Sequence, residues 1–130
     1  MSIQITYKNN NPKKSKINLI LFADEKFSVK PLKKFISASE FSYIDDLLKT
    51  SDLKKNLIVF KLNSKKKIIL ISIKKNLKSF DIENLGAELY RCLNNEKDNY
   101  YIINTDSVIP KYNNFIGYLL HGLKLKSYEF

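Results

Sequence analysis

The sequence predicts an α/β fold, a three-layer α/β/α arrangement built around a mixed sheet. Segments with strand and helix periodicity alternate along the 130 residues in the order β, β, α, β, β, α, β, α. A short polar connection between two of these strands predicts a hairpin, so antiparallel and parallel pairs are expected in one sheet. A single domain over residues 1–130 is expected, because domains of about 100–150 residues are the commonest.

Five strands are predicted, at residues 3–7, 17–22, 57–62, 67–73 and 100–103. The first alternates apolar and polar residues, which is typical of a strand with one buried face. The second is a continuous apolar run, which indicates a central strand buried on both faces. The third and fourth are joined by Asn63, Ser64 and Lys65 and are predicted to pair as the hairpin.

Three helices are predicted, at residues 39–48, 79–93 and about 114–125, with a helical turn at 31–36. Ser39 is expected to cap the first helix. Gly86 lowers the helix propensity of the second helix, and the small residues Gly86 and Ala87 predict close packing against a sheet. Gly117 and Gly122 weaken the third helix, and Gly122 can end it early.

The formal net charge of +10, with a pI near 9.6, suits a partner such as nucleic acid or another anionic surface. Arg91 is the single arginine, however, whereas bidentate contacts to guanine favour arginine. Lysine, asparagine and isoleucine enrichment also follows from AT-biased codons. The lysines at 65–67 and 74–75 flank one strand without interleaved aromatic residues, which indicates two solvated sheet ends.

No residue is predicted to be catalytic, cofactor-binding or metal-binding. The one histidine of the chain, His121, is interpreted as a partly buried or surface residue of a helix. The one cysteine, Cys92, is interpreted as a buried thiol. Asp45 and Asp46 are adjacent on a helix and point in different directions. The remaining acids considered are interpreted as solvated: Glu25, Glu40, Asp52 and Glu96. Three glycines form no phosphate-binding loop, and no Gly-x-Ser-x-Gly nucleophile turn is present.

The longest apolar stretch falls far short of the roughly 20 residues that a membrane helix needs. No secretory signal is visible at the N-terminus. The single cysteine excludes an internal disulfide. Cytoplasmic residence is therefore expected, and no membrane partner.

Two segments resemble the N-terminal domain of the cytosolic leucyl aminopeptidases. Residues 80–90 are similar to a helix of that domain in which a Gly-Ala pair precedes an apolar stripe. Residues 115–130 are similar to the family's signature Gly-Leu-x-Leu-x-x-Tyr-x-Phe. The residues in register with this signature are Gly122, Leu123, Leu125, Tyr128 and Phe130. The strand at 67–73 also fits, although residues 76–79 replace a glycine-bearing turn and an arginine that the family often has.

The resemblance implies a macro-domain-like fold and a parent enzyme with a separate catalytic domain. That parent would be a hexameric metallopeptidase, a hydrolase whose two zinc or manganese ions are held by lysine, aspartate and glutamate of the catalytic domain. The segment Asn104-Thr105-Asp106 superficially resembles part of the catalytic motif. Ser107 follows where the motif has alanine, so no metal is assigned to Asp106. Macro-domain ADP-ribose binding is not expected, because the glycine-rich loops are missing.

Three hypotheses follow from the sequence. The first is a non-catalytic domain that packs on its own catalytic domain, helps arrange the hexamer and restricts access to the active site. It would use an apolar contact at residues 123–130, and the gene is expected to continue past Phe130. The alternative is a basic nucleic-acid-binding module, since some bacterial members of the family are thought to bind DNA. The third, a free-standing small enzyme, lacks residues to support it.

Overall fold

The structure, a computed structural model, describes residues 18–24, 26–28, 30–52, 54–62, 66–74, 78–93, 101–103 and 115–127. Backbone contacts divide the chain into two compact units. Among the described residues, the sheet unit contains four strands, a 3₁₀ helix and one α-helix, and the helical unit contains two α-helices. The strand predicted at 3–7 and the loop predicted at 104–113 lie outside the described residues.

The four described strands form one mixed sheet. In chain order they are β1 (Asn18–Asp24), β2 (Leu57–Lys61), β3 (Lys67–Ile73) and β4 (Tyr101–Ile103). Their order across the sheet is β2-β3-β1-β4, with β1 parallel to both neighbours and β2 antiparallel to β3. The predicted α/β class, the mixed sheet and the hairpin are confirmed, while the three-layer arrangement and the single domain stay predictions.

The two central strands are the most apolar segments of the sequence, and this explains their position. Residues 68–71 of β3 are fully buried, and so are Ile20 and Leu21 of β1. Full burial of such a side chain contributes roughly 1.5–3 kcal/mol, so these strands are placed where both faces are covered. On one face, the core contains Leu21, Ala23, Phe27, Leu32, Ile44, Leu48, Phe60, Ile68 and Leu70.

Helix α1 (Ala38–Leu48) begins one residue earlier than predicted, and Ser37 caps it instead of Ser39. Ser37 has extended backbone geometry, and its hydroxyl accepts the N–H of Glu40 at 3.2 Å. The carboxylate of Glu40 in turn accepts the N–H of Ser37 at 2.9 Å, which completes a capping box. The turn predicted at 31–36 is a 3₁₀ helix, Lys30–Lys34, just before this cap.

The helical unit consists of α2 (Ser79–Leu93), with the bounds predicted, and α3 (Phe115–Ser127). The expectation that Gly122 ends α3 early is wrong. Gly122 lies inside the helix because α2 approaches it there: a Cβ added at Gly122 would lie 2.6 Å from the carbonyl carbon of Glu83. Gly86 likewise packs against α3 and not against a strand as predicted, since its Cβ would lie 2.7 Å from the backbone nitrogen of Leu123.

Candidate functional site

Four of the described lysines lie at the edge of the sheet where β1 and β3 end. The parallel strands β1 and β3 end together, with Asp24 opposite Ile73, and the antiparallel β2 begins at the same edge. The ammonium group of Lys74 donates to the side-chain oxygen of Asn56 at 2.9 Å and to the carbonyl of Lys54 at 3.5 Å. These contacts bring together residues that are 18 to 20 positions apart in sequence. We call Lys26, Lys54, Lys55 and Lys74 the basic edge.

Two aspartates at this edge hold its turns in place. The carboxylate of Asp24 accepts the N–H groups of Lys26 at 3.0 Å and Ser28 at 2.9 Å, and that of Asp52 accepts the N–H of Lys54 at 3.0 Å. Partial burial raises the pKa of Asp24, but the hydrogen bonds from Ser28 and Lys26 outweigh it and lower that pKa overall. Asp24 is therefore ionised at neutral pH, and four lysines and two carboxylates lie at this edge among the described residues.

Phe27 occupies the turn after β1 in a left-handed backbone conformation, with φ 54°. A non-glycine residue rarely adopts this region, and the conformation persists only where the surroundings hold it. Here the Phe27 N–H donates to the carbonyl of Asp24 at 3.0 Å, and the ring is buried in the core beside α1. The turn that carries Lys26 is thus held by a backbone hydrogen bond and by the buried ring of Phe27.

Lys66 and Glu40 form a buried ion pair, so the interpretation of both as solvated is wrong. Their charged atoms are 2.6 Å apart, and their side chains are 5% and 15% exposed. Burial raises the pKa of Glu40, but the hydrogen bond from Lys66 and the backbone N–H of Ser37 bring that pKa below its usual value. The capping-box spacing from Ser37 to Glu40 could have been recognised in the sequence, whereas nothing distinguishes Lys66 from the lysines beside it.

His121 and Glu83 make a polar contact across the α2–α3 crossing. The Nδ1 atom of the histidine meets Oε2 of the glutamate, beside Gly122. The imidazole is 59% exposed, which agrees with its interpretation as a helix histidine, although its partner was not predicted. Within the part of the chain that the structure describes, no three His, Cys, Asp or Glu residues are grouped closely enough to hold a metal ion.

The structure describes some of the remaining residues considered from the sequence. Asp46 pairs at 3.8 Å with Lys49 on the exposed face of α1. Cys92 is half-buried near the end of α2. Glu25, Glu96 and the segment 104–106 lie outside the described residues.

The apolar contact surface predicted at residues 123–130 is described only as far as residue 127, and residues 128–130 lie outside the described residues. Leu123 is 3% exposed and belongs to the core, so it was assigned wrongly. Leu125 is 57% exposed and Tyr118 is 39% exposed. These two residues are seven positions apart on α3 and therefore share one helix face.

Among the described helices, none has the length and apolar character needed to cross a membrane.

Comparison with known proteins identifies no relative of this chain. No family model matches it, and neither a curated protein nor a solved structure does. The function is therefore argued from the surfaces described above.

Proposed function

We propose that this chain is the non-catalytic N-terminal domain of a cytoplasmic leucyl aminopeptidase and serves assembly or regulation. The supporting observation is the crossing of α2 and α3. Gly86 belongs to one segment that resembles the aminopeptidase domain and Gly122 to the other, and each glycine packs against the backbone of the opposite helix. The two segments that resemble the aminopeptidase domain thus each contain a glycine that lets α2 and α3 approach closely.

In this proposal, hydrolysis belongs to a separate catalytic domain of the parent protein. Two zinc or manganese ions there would activate a water molecule and polarise the peptide carbonyl. The chain described here would contribute contacts that orient the catalytic domain within a hexamer. The exposed face of α3 that carries Tyr118 and Leu125 is the surface we assign to that contact.

The test uses the product of the complete reading frame. We expect it to release leucine from leucyl-p-nitroanilide with Mn²⁺ and to form hexamers, measured by light scattering. Leu125→Glu is expected to shift it to smaller species, because a charge cannot be buried unpaired at a contact. Ser42→Glu places the same side chain on the exposed face of α1 and should leave the hexamer intact. A complete product without peptidase activity contradicts the proposal.

A second function, binding to nucleic acid, is favoured by the basic edge. Lys26, Lys54 and Lys55 are exposed there, on turns fixed by Asp24 and Asp52. Lysines held on rigid turns can contact successive phosphates without reading the bases. The net charge of +10 would add long-range attraction for a polyanion.

Salt dependence tests this second function. Replacing Lys26, Lys54 and Lys55 by Gln is expected to lower the slope of log K against log salt by about one per lysine that contacts a phosphate. The control replaces three exposed lysines elsewhere, namely Lys30, Lys49 and Lys124. Equal losses in the two triple variants would show only a general charge effect. Absence of duplex DNA binding at low salt would exclude the function.

A further inference from the structure

The hydrogen-bond ladder of the hairpin fixes which backbone groups of β2 point away from the sheet. The backbone N–H of Ser72 donates to the carbonyl of Asn56 at 2.8 Å, and the backbone N–H of Leu62 donates to the carbonyl of Lys66 at 3.0 Å. In an antiparallel pair, residues that exchange hydrogen bonds alternate with residues that do not. Ile58 and Phe60 therefore face β3 with their N–H and C=O groups, whereas Leu57, Val59 and Lys61 turn these groups outward.

One end of this outer edge is already occupied. The Tyr43 hydroxyl of α1 donates to the outward carbonyl of Lys61 at 3.2 Å. Among the described residues, the outward backbone groups of Leu57 and Val59 contact no hydrogen-bond partner. β2 also has a single neighbour among the described strands, and the Val59 side chain is 39% exposed. Within the part of the chain that the structure describes, the edge is thus open over the first three residues of the strand.

The charges around the open edge indicate what can occupy it. Exposed lysines lie on both sides, with Lys54 and Lys55 before the strand and Lys61 at its end. An added strand would gain the backbone hydrogen bonds of Leu57 and Val59, and acids at its ends would meet these lysines. We propose that the outer edge of β2 binds an extended peptide segment with an apolar centre and acidic ends, as an added strand.

A second copy of the chain is a poorer occupant. Antiparallel pairing of two β2 strands about Val59 would bring the lysines of one copy towards those of the other. Each copy also has a net charge of +10, which opposes self-association. Lysines on an edge strand discourage edge-to-edge pairing between like chains, and the same lysines attract an acidic segment. This inference is independent of the aminopeptidase proposal, since it uses neither α2 nor α3, and it shares Lys54 and Lys55 with the basic edge.

The experiment measures binding of a fluorescent peptide to the full chain by anisotropy. The probe has alternating valine and threonine with a glutamate at each end, and the comparison peptide has lysine at each end. Val59→Pro removes an outward N–H without breaking the ladder to β3, because proline is tolerated at such edge positions. We expect about a tenfold loss of affinity for Val59→Pro and little change for Val59→Thr, which keeps the N–H.

A second measurement does not depend on the variant folding. Amide chemical shifts of the unaltered protein are recorded during titration with the acidic peptide, and the changes should centre on Leu57 and Val59. The proposal is overturned if the acidic peptide does not bind at about 1 mM. It is also overturned if the lysine-ended peptide binds equally well, if a folded Val59→Pro variant keeps full affinity, or if the shifts lie elsewhere.

Discussion

At the scale of single residues, Lys66 shows what a sequence pattern leaves out. It stands in a run of three lysines, and each of these looks equally solvated in the sequence. Its burial depends on the approach of α1 to the β2–β3 hairpin, which brings Glu40 within 2.6 Å. Such an approach joins residues far apart in the chain, so local composition cannot predict it. The capping role of Glu40 is local and was predictable.

Replacing Glu40 by Gln should destabilise the protein strongly. The change leaves the Lys66 ammonium buried without its carboxylate, and removal of one partner of a buried pair costs about 3 kcal/mol or more. Urea unfolding at pH 7 measures this loss. Asp46→Asn is the matched control, because the Asp46–Lys49 pair is exposed and such pairs contribute less than about 1 kcal/mol. Equal effects of the two variants would contradict the buried-pair account.

Stability should also fall in acid, in part through Glu40. Its pKa is lowered in the folded state, so the unfolded chain binds more protons in the window between the two pKa values. The contribution is complete above the unfolded value of about 4.3 and is lost as the pH falls through the folded value. The stability difference between wild type and Glu40→Gln, measured by urea unfolding, should therefore shrink below about pH 4. A difference that stays constant down to pH 2.5, roughly two units below the unfolded value, would contradict this role.

At the scale of elements, apolar periodicity predicted most segments well. The hairpin, the central position of β1 and the bounds of α2 all depend on apolar patterns within the segments themselves. The start of α1 and the end of α3 were predicted less well. For α1, two serines lie two positions apart, and the backbone geometry selects Ser37. For α3, glycine indicated a helix end, whereas here it serves close packing against another helix.

The three glycines should respond differently to alanine. At Gly86 and Gly122 an added Cβ would collide with the backbone of the opposite helix, so Gly122→Ala should force the helices apart and destabilise the protein by about 1–3 kcal/mol. At Gly117 a Cβ meets nothing within 4 Å, so Gly117→Ala should stabilise α3 by up to about 1 kcal/mol. Thermal and urea unfolding of the three variants measure these signs. A neutral Gly122→Ala would contradict the close crossing.

At the scale of the whole molecule, the sequence predicted the α/β class but not the order of the strands. Strand β4 follows β3 in the chain and yet pairs with β1 on the far side. That position depends on contacts between distant segments, and no local pattern encodes it. The basic edge has the same origin. Its lysines come from three separate segments of the sequence and meet because parallel β1 and β3 end together beside the start of β2.

The charge of the whole chain bears on the choice between its two proposed functions. A net charge of +10 suits a nucleic-acid partner, but part of the lysine content serves the fold, as Lys66 does in its pair with Glu40. Others lie over aromatic rings, such as Lys33 at 4.8 Å from the centre of Phe41. The net charge alone is therefore weaker support for nucleic-acid binding than its size suggests. The aminopeptidase role remains our first proposal.

The most direct test of that proposal is the sequence of the source gene beyond the codon for Phe130. The account predicts that the reading frame continues for about two more domain lengths and encodes clustered lysine, aspartate and glutamate ligands for two metal ions. A stop codon directly after Phe130 would contradict it. Binding at the basic edge would then become the leading explanation of the chain's function.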